Sequence, residues 1–271
     1  MSLIKIENKQ RVMLLTFCRP EASNAFNDAL RNEVNAALTE AATDDNVGAV
    51  VLTGEGKAFS AGIDLKELSS LTGGLPGVEE VSQEIAEAPI SQGTAPEDTA
   101  PESTASGDTD SSSDSNSWGL LDILQHFPKP LVMAVNGAAV GLGTTMLGFA
   151  DLVFASPQAR FKCPFTSLGV GAEAASTWLL PQLLGWQNAM WLLLSSEWVG
   201  AEEAKEMGLV FKVSETFLED AIAAASAIAE KDMASAISVK KVAMAWRHNP
   251  IDNALSLEGK AFMDLIQNRK T

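Results

Sequence analysis

Gly137 to Asp151 reads G-A-A-V-G-L-G-T-T-M-L-G-F-A-D and follows the apolar run Leu131 to Val135. The run predicts a buried strand, the glycines a turn, and Thr144 to Ala150 a helix, so backbone N–H groups near Leu142 stand at a helix N-terminus. Such groups attract negative charge. Glycines at 141 and 143 admit backbone angles that other residues resist, and they leave a ligand oxygen room to approach the main chain. A second turn of this kind lies upstream. Gly48 to Thr53 (G-A-V-V-L-T) reads as a buried strand, and Gly54 to Asp64 (G-E-G-K-A-F-S-A-G-I-D) leads into a helix beginning near Leu65. Two strand-to-helix turns that each offer a free N–H can together form an oxyanion hole.

Outward from these turns, residues 2–7 and 11–17 read as a hairpin, 19–27 as a loop, and Asn27 as the N-cap of a helix carrying Leu30, Val34, Ala37, Leu38 and Ala41 on one face. Residues 118–127 predict a helix ended by Pro128 and Pro130. Its Trp118, Leu121, Leu124 and Phe127 suit either an apolar channel or ordinary core. Beyond Pro164 a glycine loop leads into a helix from about Glu173. Helices follow at 186–194 and 201–207, then a strand at 208–213 and three helices at about 215–230, 233–247 and 251–268. Trp178, Trp186, Trp191 and Trp198 fall in segments read as helical.

A chain of 271 residues with 46% apolar and 20% charged residues can bury a full core. Cys18 and Cys163 fit neither a disulfide framework nor a paired zinc site, which suggests reduced thiols in a cytoplasm. The N-terminus lacks the continuous apolar run of a signal peptide, no run reaches the roughly 18 residues of a membrane helix, and Q-N-R-K-T is no peroxisomal ending. The net charge is −16, but residues 72–117 contain ten acids and no Lys or Arg, so the rest carries −16 + 10 = −6. That balance argues against nucleic acid as a partner. The stretch 72–117 reads as an acidic low-complexity insert, with a possible amphipathic helix at 78–88 and a flexible loop at 89–117.

F-S-A-G-I-D-L-K-E-L at 59–68, K-P-L-V-M-A-V-N-G-A-A-V-G-L-G at 129–143 and A-D-L-V-F-A-S at 150–156 resemble the crotonase (enoyl-CoA hydratase/isomerase) superfamily over nearly the whole chain except about 72–117. The resemblance implies an α/β fold with a ββα spiral core over 1–200 and a C-terminal helical trimerisation region over 201–271. It implies an acyl-CoA thioester substrate whose carbonyl is polarised by the N–H groups of Ile63 and Leu142. CoA contacts fall by resemblance on Ala22, Ala61, Gly62, Ile63, Asp64, Leu65, Lys66, Gly141 and Leu142, with Asp64 also a helix cap. It implies no metal and no tightly bound cofactor, CoA entering only as part of the substrate, and a homotrimer or hexamer acting in the cytoplasm.

In the family's hydratases two glutamates flank the substrate; this chain has Thr145 and Phe165 there. P-F-T-S-L-G-V-G-A-E-A-A-S at 164–176 resembles instead the Δ3,Δ2-enoyl-CoA isomerase branch, in which one glutamate, here Glu173, shuttles the proton. An apolar tunnel would raise the pKa of Glu173 and a helix N-terminus would lower it. As a bare residue Glu173 also reads as a first-turn acid that complements a helix dipole. His126 and His248 suit surface or capping roles. Hydration, thioester hydrolysis and non-catalytic acyl-CoA binding are the other readings.

Overall fold

The computed structural model describes residues 2–64, 67, 80, 83, 84 and 117–269. The expected helix over 65–71, the 78–88 helix and the 89–117 loop fall largely or wholly outside them. The described strands are β1 (Ile4–Lys9), β2 (Val12–Phe17), β3 (Ala49–Gly54), β4 (Ala58–Ser60), β5 (Leu131–Val135), β6 (Ala138–Val140), β7 (Leu152–Ala155), β8 (Arg160–Lys162), β9 (Val199–Gly200) and β10 (Lys212–Val213). One sheet has the order β1-β2-β3-β5-β7-β10 and the other β4-β6-β8-β9. Apart from the β1–β2 hairpin and the β8–β9 pair, neighbouring strands run parallel.

The chain passes from β3 to β4, from β5 to β6 and from β7 to β8, crossing from the first sheet to the second each time and returning through helical or irregular chain. This is the α/β spiral of strand, strand and helix expected above. The short strands β4 and β6 lie inside segments that read as plain glycine turns. Those segments instead bend the chain sharply from one sheet into the other. A methyl group at Gly137 would lie 1.9 Å from the Lys57 carbonyl oxygen, so only glycine fits that corner. The Asn136 side chain joins the two corners, donating to the Gly56 carbonyl at 2.9 Å and accepting from the Gly54 amide at 3.3 Å.

Period-two alternation sets what each face of the first sheet buries. Met13, Leu15 and Phe17 of β2 enter the main core with Leu52, Met133 and Val135, whereas Val12 and Leu14 face a second cluster with Ala49, Val51, Val132 and Ala134. Helix α1 (Asp28–Thr43) starts at Asn27, whose side chain accepts from Leu30 N at 2.9 Å, and it buries the five residues expected of it. Helix α2 (Ser117–His126) stops before Pro128, and Leu124 and Phe127 are core. Leu121 packs half-buried against that core, and the Trp118 side chain is outside the described residues.

Helix α3 (Leu142–Thr145) continues as a 3-10 turn over Met146–Phe149, so helical chain begins two residues earlier than the sequence pattern suggests. Next come α4 (Phe165–Leu168), α5 (Ser176–Leu184), α6 (Trp186–Ser195), α7 (Ala201–Met207), α8 (Phe217–Ala229), α9 (Met233–Ala245) and α10 (His248–Arg269). Ala221, Ala225 and Ala229 of α8 close the second cluster of the first sheet, small side chains allowing close approach. The strand expected at 208–213 shrinks to β10 because Gly208, at φ 98, still caps α7. Trp198 lies between α6 and β9 rather than in a helix, with the Arg160 guanidinium 4.0 Å above its ring. Among the described residues, no helix is long and apolar enough to cross a membrane.

Candidate active site

The first glycine turn runs beside the 19–27 loop. Phe26 and Ile63 form a parallel bridge in which Phe26 N donates to Gly62 O at 2.7 Å and Asp64 N donates to Phe26 O at 3.0 Å. In such a bridge the flanking residues make the bonds, and the N–H of Ile63 itself points away from the partner. In the second turn Gly141 takes φ 53, ψ −119, conformations open to glycine, and its carbonyl accepts from Thr144 N and Thr145 N, both at 2.9 Å. Leu142 is then the first helical residue, one whose amide has no intrahelical acceptor. Among the described residues, neither the Ile63 nor the Leu142 N–H meets an acceptor.

The two turns interlock. A methyl group at Gly62 (φ 84) would come within 2.5 Å of Val140 O and 3.1 Å of Leu142 N, and one at Gly143 within 2.4 Å of Ser60 O. Glycine is required at these contacts because backbone packs on backbone. Ile63 and Leu142 therefore present unbonded amides from adjoining segments, one half-buried and the other buried.

Glu173 faces the same place. Its Oε1 lies 3.6 Å from the position a Cβ on Gly141 would occupy, next to the Leu142 amide. It does not open a helix: α5 begins at Ser176, and Glu173 sits ahead of it in a turn where Ser176 N donates to Glu173 O at 3.0 Å. The amides that a first-turn acid would have served are held by another carboxylate, that of Glu258. Burial pushes the Glu173 carboxyl up to about 7, the Glu258 charge adds to the rise, and Arg31 opposes it. Of the two opposing influences read from the sequence, burial wins because the helix terminus is already occupied.

A family model described as enoyl-CoA hydratase/isomerase matches residues 7–83 and 91–271. The chain belongs to that family, within the crotonase superfamily. A solved enoyl-CoA hydratase of Mycobacterium marinum is 42% identical and superposes with a TM-score of 0.70, covering 90% of this chain and 99% of that one. A probable enoyl-CoA hydratase of Rhodobacter capsulatus is 33% identical over 98% of this chain and 90% of its own length. The 1,2-epoxyphenylacetyl-CoA isomerase of Escherichia coli is 30% identical over 95% of this chain and 88% of its own.

Within this member of the enoyl-CoA hydratase/isomerase family, the other expected contact positions among the described residues fall around the two turns. Ala22 ends the 3-10 turn Pro20–Ala22, and Ala61 N donates to Ser23 O at 2.8 Å, so the 19–27 loop lies directly beside residues 61–64. The Asp64 carboxylate is paired with Arg19 at 2.7 Å. Leu65 and Lys66 are outside the described residues. Thr145 and Phe165 are both buried. His126 and His248 stack on each other with centroids 4.6 Å apart. Sequence reasoning missed Glu258 and Arg31. The one signal for Glu258 was an acid interrupting the apolar stripe Ile251, Ala254 of the last helix, all three of which are buried.

Proposed function

We propose that the protein is an acyl-CoA double-bond isomerase, converting 3-enoyl-CoA to trans-2-enoyl-CoA as in fatty acid β-oxidation. The observation that carries this reading is the Glu173 carboxylate set beside the Gly141–Leu142 turn, whose unbonded amide adjoins the turn of the unbonded Ile63 amide, with no acid at 145 or 165 to assist water. The thioester oxygen would lie between Ile63 N–H and Leu142 N–H. Glu173 takes a proton from C2, and the electron pair released spreads over C2, C4 and the thioester oxygen. The oxygen's share of the charge is stabilised by the two amides. The protonated Glu173 then delivers the proton to C4, and the double bond moves from C3–C4 to C2–C3. Atoms and charge balance without metal, redox cofactor or water, and the gain in conjugation drives the conversion.

Ala22, Ala61, Gly62, Asp64, Leu65, Lys66 and Gly141 belong to the proposed CoA-contacting set. Assembly as a homotrimer or hexamer is part of the reading, supported by exposed Trp186, Trp191, Leu194, Val239, Val242 and Trp246. Large apolar side chains left exposed in this number suit contact with another copy. A monomeric mass in sedimentation would remove that part.

The deciding experiment incubates the purified protein with short, medium and long 3-enoyl-CoA esters and follows both the conjugated thioester and any 3-hydroxyacyl-CoA or free CoA. Conjugated product is the expected result. Hydrated or hydrolysed product, with none isomerised, would overturn it in favour of hydratase or hydrolase chemistry, the former being the activity named for several relatives. Because Glu173 acts as an anion in the free enzyme and its carboxyl is raised to about 7, kcat/KM should be level above that pH and fall about tenfold per pH unit below it. A limb near the ordinary carboxylate value would assign the proton transfer to another acid.

A further inference from the structure

The turn that carries Glu173 is not held in place by its own sequence. Ala174 and Ala175 follow it with φ 58 and φ 54, two consecutive alanines in the left-handed region, where a Cβ makes the backbone strained. No residue of the turn caps the helix that comes next; the N-cap Ala175 has no side-chain acceptor to offer. What holds this segment is the C-terminal helix α10. Glu258 accepts from Ala175 N at 2.7 Å through one oxygen and from Thr177 N at 2.9 Å and Thr177 Oγ1 at 2.8 Å through the other. One turn further along the same helix, the Phe262 backbone lies 3.5 Å from where a Cβ on Gly171 would stand, so the segment is splinted on both sides of Glu173.

Resting on the reading of Glu173 as the proton shuttle, we infer that Glu258 is its positioning residue: the last helix uses this carboxylate to fix the strained 173–175 turn and to set the charge that Glu173 meets. Glu258 is 7% exposed, and burial raises its carboxyl above the ordinary carboxylate range against three hydrogen bonds that work to lower it. Those donors favour its anion, so Glu258 presents negative charge to Glu173, which has no comparable donors among the described residues. The other charged or titratable groups that bear on Glu173 are Arg31 of α1, itself paired with Asp28 and Glu67, and the buried thiol of Cys163.

The consequence is a base whose acidity and aim are both governed from 85 residues away in sequence, the separation of 173 and 258. An apolar residue at 258 could cap nothing and would leave Glu173 free to titrate lower and to swing from the Gly141 turn.

Two variants test this. Glu258→Gln keeps the volume and one oxygen acceptor but removes the charge, so the acid limb of kcat/KM should move down by about one pH unit. Glu258→Ala removes the cap as well, and should lower kcat by roughly 10- to 100-fold with KM changed little, the signature of a misplaced group. Independently of any substrate, the carboxyl carbon of Glu173, labelled with 13C and assigned by its loss in Glu173→Gln, should titrate lower in Glu258→Gln than in the full native protein. Amide exchange over 171–180 should quicken in Glu258→Ala. A Glu173 titration unchanged in Glu258→Gln together with unchanged exchange in Glu258→Ala would overturn the inference. If the native protein isomerises no 3-enoyl ester, the reading of its function fails, yet the carbon titration and the exchange still decide whether Glu258 governs Glu173.

Discussion

Glu173→Gln should cut the turnover of 3-enoyl-CoA at least about 1,000-fold at pH 8 while the affinity for a CoA ester changes by less than about threefold. General acid–base catalysis by one positioned group is worth roughly 100- to 10,000-fold, and here the same carboxyl both removes the C2 proton and returns it at C4, so both steps fail together. Glutamine has the shape of glutamate and still suits the turn, where the fold needs only the main-chain contact of Glu173 O with Ser176 N. Removing a buried, part-charged carboxyl relieves repulsion with Glu258, so the variant should be no less stable than the native protein. Turnover is read from the absorbance of the conjugated thioester and affinity from calorimetry with a non-isomerisable ester. A variant retaining more than a tenth of native turnover would show that Glu173 is not the shuttle, and a variant that no longer binds would show that it holds substrate instead.

The sequence carries the parts of this site unevenly, and the difference is physical. The amides of Ile63 and Leu142 are legible because glycine-rich turns between apolar strands and helices leave a strong trace, and Asn27 is legible because a cap is a local interaction. Strands β4 and β6 are not, since three residues are too few to display a period and their partners, Ala138 for Ala58, come from distant chain. Glu173 looks like a first-turn acid only while Glu258 is out of view. Once a carboxylate from the last helix takes the amides of Ala175 and Thr177, the local rule for helix starts no longer applies to Glu173, and burial, helped by the Glu258 charge, raises its carboxyl instead. Trp198 follows the same logic: it reads as helical from the sequence, but its ring is held by Arg160 from β8, a contact no window of neighbouring residues can contain. Pairwise contacts across the fold, rather than propensity, are what the chain conceals.

Gly62→Ala should be nearly as damaging as loss of Glu173, and for a different reason. At φ 84 an alanine is strained before any neighbour is considered, and its methyl group would stand 2.5 Å from Val140 O and 3.1 Å from Leu142 N. Both atoms are backbone, so neither can rotate aside as a flexible side chain would. The first turn must draw back from the second, and the spacing of the Ile63 and Leu142 amides changes. An oxyanion donor is worth roughly 100- to 1,000-fold in rate, so kcat should fall by at least about 100-fold, with KM affected less because the donors act most strongly on the charge that forms during proton removal. The acid limb of kcat/KM should stay near the native value, since the surroundings of Glu173 are unchanged, and that separates this defect from the one expected of Glu258→Gln. Gly200→Ala is the matched comparison: φ there is −75 and nothing lies within 4 Å of the added carbon, so rate and melting temperature should both remain native. Circular dichroism on both variants distinguishes a displaced amide from a lost fold. If Gly62→Ala folds and retains kcat within tenfold, the two turns do not act as one anion site, and the stabilisation of the enolate must come from elsewhere in the chain.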